Sequence, residues 1–198
     1  MLKRIAVAVF LAAGLSGAAS ATTVTYLFSG VVTNSGGPLP AGSPYTATFL
    51  IELSTPGTPH PVVPSATEYV GAVVSASFSI GSGTGATGMN VIVFVIPGLG
   101  SEFHIDSGSL TGTDGSGNAL TFVRFSLEDY DGTAFSSQVL QVPVDVSQFE
   151  TADFFMTFAG GGRLEGSITS IQLVPEPSLL ALLGAGVLTL ALRRRIAA

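Results

Sequence analysis

The sequence predicts an all-β protein, a single antiparallel β-sandwich of jelly-roll-like type with about nine strands, carried between two apolar terminal segments. Three observations predict it. Apolar and polar residues alternate with a period of two in stretches rich in Val, Ile, Thr, Phe and Tyr, the pattern of a strand with one buried face. Clusters of Gly, Pro, Ser, Asn and Asp cut those stretches into short lengths. No stretch between residues 22 and 174 repeats its apolar positions with the 3.6-residue period of a helix.

Residues 22–33 open the domain, with Val24, Tyr26 and Phe28 alternating against Thr23, Thr25 and Leu27. The run 34–38, Asn-Ser-Gly-Gly-Pro, ends that strand. Residues 45–53 form a second, with Ala47, Phe49 and Ile51 on one face. Four prolines and a glycine in 54–64 demand a loop or an edge crossover, since proline cannot donate to a ladder. The clearest alternation lies in 70–80, where Val74, Ala76, Phe78 and Ile80 belong inside and Ser75, Ser77 and Ser79 in water. A Gly-rich turn over 81–88 leads to 91–96, continuously apolar and β-branched, a central strand covered on both faces. Residues 102–110 form the next strand, and 114–118 (Asp-Gly-Ser-Gly-Asn) read as a hairpin loop. Strands at 120–127, 138–144, 154–158 and 166–173 complete the set, with a short helical turn at 147–151.

The two ends differ in kind. Lys3 and Arg4 precede the apolar run 5–15, and Ala19, Ser20 and Ala21 make a small-residue A-x-A site. Residues 1–21 therefore read as a signal peptide, removed by signal peptidase after passage through the general secretion machinery, with Thr22 first in the mature chain. At the other end Pro175, Glu176 and Pro177 are stiff and extended, because proline fixes its own φ and biases its predecessor. An uncharged run, 178–192, and then Arg193, Arg194 and Arg195 follow. Fifteen residues at ~1.5 Å each span about 22 Å against a hydrocarbon core of roughly 30 Å. That is a short transmembrane helix, which thins the bilayer or lets its arginines snorkel. The positive-inside bias keeps the arginines cytoplasmic and the rest of the chain outside. The domain proper is 22–173, between the signal peptide at 1–21 and the tail at 174–198.

In the order and position of its three parts the tail resembles the PEP-CTERM sorting signal of exported proteins in Gram-negative bacteria that make extracellular polysaccharide. The resemblance implies that exosortase, a membrane-embedded protease-transpeptidase, recognises Pro175, Glu176 and Pro177. It implies that 178–192 is a transient transmembrane anchor and that Arg193, Arg194 and Arg195 stop transfer. The expected route runs through an inner-membrane-anchored intermediate to the cell surface, the extracellular matrix or a biofilm. The resemblance covers the tail alone and implies no activity for the domain before it.

Between the signals the chain holds two basic residues, Arg124 and Arg163, against twelve acids, a net charge of −10, and no lysine. Such a surface repels nucleic acid and anionic lipid, and nucleic-acid binding is excluded as a function. There is no cysteine, so an exported chain that has access to disulfides relies on its core instead.

Catalytic motifs are absent from the sequence. His60 sits between Pro59 and Pro61, and His104 shares a strand with Phe103 and Ile105, which take the opposite face and leave His104 to solvent. No G-x-S-x-G elbow accompanies the many serines. The chain is expected not to be an enzyme. Glu128, Asp129 and Asp131, beside Gly132, are candidate ligands for a hard cation such as Ca²⁺. They miss the EF-hand spacing, because counting Gly132 as its sixth position puts Leu127 first and Gln138 twelfth. An Asp-Gly turn with solvated charges is the expected reading, and no cofactor is required. Carbohydrate recognition uses exposed aromatic faces, and with no tryptophan only Tyr26, Tyr45, Tyr69 and Tyr130 offer such faces with a polar tip, Tyr26 being expected in the core. The sequence thus points to a non-enzymatic cell-surface or matrix protein, with a calcium-assisted polysaccharide-binding module as the alternative.

Overall fold

The computed structural model describes residues 23–175, apart from 37–38, 81, 97–99, 107 and 136. The strands are β1 (Thr23–Ser35), β2 (Pro44–Glu52), β3 (Thr58–Pro59), β4 (Ala66–Phe78), β5 (Ser82–Ile96), β6 (Gly100–Asp106), β7 (Ser109–Thr113), β8 (Leu120–Asp129), β9 (Thr151–Phe158) and β10 (Arg163–Val174). One 3₁₀ turn, η1 (Val146–Gln148), precedes β9. Among the described residues no helix is long and apolar enough to cross a membrane. The signal peptide and the helix expected at 178–192 lie outside them.

The strands are all-β as predicted, but the sheet does not divide into the two layers of a sandwich. β1, β2, β4, β5, β6, β8, β9 and β10 pair in chain order, each antiparallel to the next, and β10 returns to pair with β1. The result is a closed eight-stranded up-and-down barrel. The short β3 and β7 attach to it through β4 and β5. Closure has a physical cause. Successive hairpins never cross between layers, the natural twist coils the sheet, and bulges sharpen that coiling until the first strand meets the last. Bulges fall in the β1–β10 ladder, with Thr169 of β10 the extra residue opposite Ser29 and Gly30 and Thr33 of β1 the extra residue between Val32 and Asn34, and in the β2–β4 and β4–β5 ladders.

The interior is solid. Ala47, Phe49 and Ile51 point inward from β2, and Tyr26 and Phe28 from β1, as the alternation predicted, and Tyr45 and Val32 join them inside. Phe125 of β8 is the hub: its ring centroid lies 4.9 Å from Phe49, 5.6 Å from Phe154, 5.8 Å from Phe28 and 5.9 Å from Phe78. Two glycines let β1 and β10 approach around these rings. A Cβ on Gly30 would stand 1.9 Å from the Ser167 carbonyl oxygen and 2.6 Å from the Tyr45 ring. One on Gly166 would stand 2.3 Å from the Phe154 ring.

Four predicted elements differ. In β4 the ladder passes from Leu50–Ser75 to Ile51–Val73, so Val74 bulges outward and Val73 is buried in its place; Phe78 and Ile80 remain inside. The strand expected over 102–110 breaks into β6 and β7, while β5 already begins at Ser82, inside the expected turn. Residues 138–144 are not a strand. They belong to the long connection 130–150, which folds over the end of the barrel where β1 begins and β10 ends, hereafter the terminal rim. Phe135, Leu140, Val142 and Phe149 of this connection are buried in the main core, with Phe135 5.7 Å from Phe149 and 6.3 Å from Phe103. Gln138 pins the plug: it accepts from Thr67 Oγ1 at 2.6 Å, donates to the Ser65 carbonyl and receives the Tyr69 hydroxyl on its own carbonyl.

Because Phe125 touches rings from four other strands, Phe125→Ala is expected to lower the unfolding free energy by about 3–5 kcal/mol. Urea denaturation of the two proteins measures this. A loss below about 1 kcal/mol would contradict the hub.

Candidate functional site

The acidic loop after β8 is built around Asp129, which is 1 % exposed. Oδ1 accepts from the backbone N–H groups of Asp131 and Gly132, each at 3.2 Å. Oδ2 accepts from the Ala134 N–H at 2.6 Å and from Ser101 Oγ at 3.0 Å. Burial pushes the Asp129 carboxyl upward. The bonds from the Ala134 N–H, from Ser101 and from the Asp131 N–H outweigh it and hold the group below the usual range. Four donors engage both of its oxygens, so Asp129 serves the turn itself.

The predicted trio does not assemble. Alternation puts Glu128 on the outer face, where its carboxylate accepts from the Tyr130 hydroxyl at 2.7 Å. Glu150 takes its place beside Asp129 and Asp131, with one carboxylate oxygen from each residue within 4.8 Å of the others, and accepts from the Tyr130 N–H at 2.9 Å. Glu150 lay 21 residues from Asp129 in sequence, and only the plug connection brings it back.

The outer face of β5, β6, β8 and β9 holds the histidines. Phe103 and Ile105 do face inward and His104 outward, but His104 is only 9 % exposed and so does not reach solvent as predicted. Its neighbours cover it: Phe94 at 5.1 Å between ring centroids, Glu102 with an oxygen 3.4 Å from Nε2, and the facing pair Asp106 and Arg124. His60 flanks the same Phe94 at 6.2 Å, with Nδ1 accepting from the Val62 and Val63 N–H groups.

Of the four tyrosines, Tyr26, Tyr45 and Tyr69 are buried, and only Tyr130 is exposed. Tyr26 is in the core as predicted, whereas Tyr45 and Tyr69 offer no outward face. The outward aromatic platform is Phe122 and Phe155 instead, stacked at 5.1 Å between centroids and 23° between planes. Both arginines of the domain gather on it. Arg124 lies 5.6 Å from the Phe122 centroid and 5.9 Å from that of Phe155, and Arg163 lies 5.1 Å from Phe155. Asp106 and Glu165 pair with them at 2.9 and 2.5 Å. An open groove of about 220 Å³ beside the platform is lined by Thr33, Asp153, Phe155, Arg163 and Glu165. Burial, then Glu128 and Glu165, push the Asp153 carboxyl up. The sequence signal for this platform was an out-of-phase phenylalanine in each of two strands, Phe122 and Phe155, adjacent to the inward Val123 and Phe154.

At the terminal rim Leu173 and Val174 pair with Tyr26 and Thr25, and the exposed Pro175 follows directly. Glu176, Pro177, Arg193, Arg194, Arg195, Ala19 and Ala21 lie outside the described residues. Residues 173–195 match the family model of the PEP-CTERM protein-sorting motif. That motif marks the chain for export to the cell surface or beyond, with exosortase as the processing partner. No curated protein and no solved structure matches the chain.

The covered histidine gives the domain a pH signature. Burial first, and Arg124 second, hold its pKa down from 6.5 to about 4, so it is neutral in the folded protein. The unfolded chain takes up that proton near 6.5. Between those values the unfolded state binds more protons, and stability falls as pH falls. His104→Gln is expected to flatten this part of the curve of melting temperature against pH. An unchanged slope between pH 6.5 and 4 would rule the assignment out.

Proposed function

We propose that this is a non-enzymatic cell-surface or extracellular-matrix protein: a solid acidic barrel, exported behind the signal peptide 1–21 and held briefly in the inner membrane by 178–192. It is then released by processing at the Pro175, Glu176, Pro177 element. The observation that carries the reading is the matched motif running straight out of the last barrel strand. A core packed with aromatic rings leaves recognition to the outer face and the loops. The Asp129 turn is held by its own donors, and no cofactor enters the reading.

A second reading, polysaccharide binding, is favoured by the groove at Phe155. Sugar rings stack a C–H-rich face on an aromatic ring, and their hydroxyls bond well to carboxylates and guanidinium groups. Phe155, Asp153, Glu165 and Arg163 supply both kinds of contact in one place. Net charge favours a neutral glycan over an acidic one.

Two measurements test these readings. Intact-mass analysis of the surface form is expected to show a chain that begins at Thr22 and lacks Arg193, Arg194 and Arg195, while Glu176→Ala keeps the tail. A surface form of full length refutes the processing route. For the glycan, Phe155→Ala is expected to weaken calorimetric binding to the cell's own soluble polysaccharide by about tenfold, roughly 1.4 kcal/mol. Wild-type protein that releases no heat with that polysaccharide removes the second reading and leaves the first standing.

A further inference from the structure

The sorting motif and the fold overlap. The match begins at Leu173, two residues inside β10, and Val174 is still paired with Thr25 where Pro175 leaves the sheet. No linker separates barrel from signal, so whatever reads Pro175 and Glu176 meets the terminal rim.

That rim has the features of a contact surface. Beyond the Ser167–Asp153 pair β10 has no further partner in β9, and it runs on to Val174 paired with β1 alone. In an antiparallel strand alternate residues turn their N–H and C=O groups away from a given neighbour, so this stretch offers a free edge. Inward, Ile168 and Ile171 are buried, and η1 lies near the strand. Gln172, Leu173 and Val174 are exposed, Leu173 by 54 %. Among the described residues the exposed large hydrophobics Val62, Val139 and Val144 belong to the loops at this same end, whereas the far-end turns carry none. Around them stand Glu52, Asp131, Asp145 and Glu150. An acidic collar is repelled by anionic lipid, so the rim is suited to a protein with an apolar strip and basic groups and not to the bare bilayer.

We propose that exosortase docks on the folded rim, adding a strand to the β10 edge at Gln172, Leu173 and Val174, so that barrel and motif are read as one surface. Strand addition supplies main-chain hydrogen bonds for affinity, and Leu173, on the same face as Tyr26 and Ile171 but exposed at the barrel's mouth, supplies a side chain for a pocket. The inference rests on the processing route proposed above.

The full chain is produced with its processing enzyme, as wild type and with six Gly/Ser residues inserted between Val174 and Pro175. The insertion leaves every barrel pair intact and keeps residues 175–195 of the motif in sequence, and it separates them from Leu173 and Val174 in the rim. Pulse-chase followed by intact mass is expected to show the insertion variant processed about tenfold more slowly, the loss of ~1.4 kcal/mol of docking. Equal rates overturn the proposal while the processing route stands; an unprocessed wild type overturns both. A photo-crosslinking residue in place of Leu173, in the otherwise native full chain, is expected to capture exosortase. Capture of lipid or of a second copy of the chain instead overturns the proposal.

Discussion

Pairing of the first strand with the last is the interaction on which everything else in this molecule hangs. β1 and β10 are more than a hundred residues apart, and closing so long a loop has an entropic cost that grows only with the logarithm of its length. In return the barrel loses its two principal edges and gains a core enclosed on all sides. Local chemistry makes the seam possible. Gly30 and Gly166 allow the two backbones to come within reach while Tyr45 and Phe154, whose ring centroids lie 4.0 Å apart, fill the space beneath. The bulge opposite Gly30, at Thr169, bends β10 toward its partner, and the one at Thr33 bends β1. The packing has a price at one atom: the Tyr45 hydroxyl is buried with no hydrogen-bond partner among the described residues, and burial, then Asp153, raise its pKa.

Charge is distributed with the same economy. A domain of net charge −10 spends both arginines on one aromatic platform and pairs each with an acid. Of the remaining acids, Asp131, Asp145 and Glu150 stand exposed in the connection 130–150, whereas Asp114 and Asp129 are buried in the turns they close. Asp114, accepting first from the Asn118 side-chain amide and then from backbone N–H groups, and Asp145, accepting first from the Ser147 hydroxyl and then from its N–H, each close a local turn, which lowers their carboxyl pKa values. The acidic surface keeps the processed barrel away from like-charged envelopes and polymers, and it leaves the Phe155 groove as the place where aromatic and polar contacts coincide.

Much of the fold was legible because strand alternation is a local signal. β1 and β2 show their inward faces in the raw sequence, and so do Phe78 and Ile80 at the end of β4. What the sequence hid was non-local. A bulge shifts the phase by one residue without any change in composition, which is why Val74 faces out and Val73 in. Residues 138–144 have the apolar content of a strand but plug the barrel, because a rim needs covering and no neighbour offers them a ladder. Two layers and a closed ring differ only in whether β1 meets β10, a contact that no pattern within either strand reveals. At the sites the division is the same. Pro175 and the tail are read residue by residue, whereas Glu150 reaches Asp129, and Phe122 reaches Phe155, only through the fold.

The seam also makes the order of the strands a matter of convention. With Thr25 opposite Val174, a few added residues could splice the two ends into a ring, and the chain could then be opened at the β9–β10 turn without disturbing the rest of the ladder. In such a circular permutant the greasy extensions would emerge from the opposite pole. The native arrangement therefore fixes a polarity: the first strand begins and the last strand ends at the terminal rim, and the turn at 159–162 lies at the opposite pole.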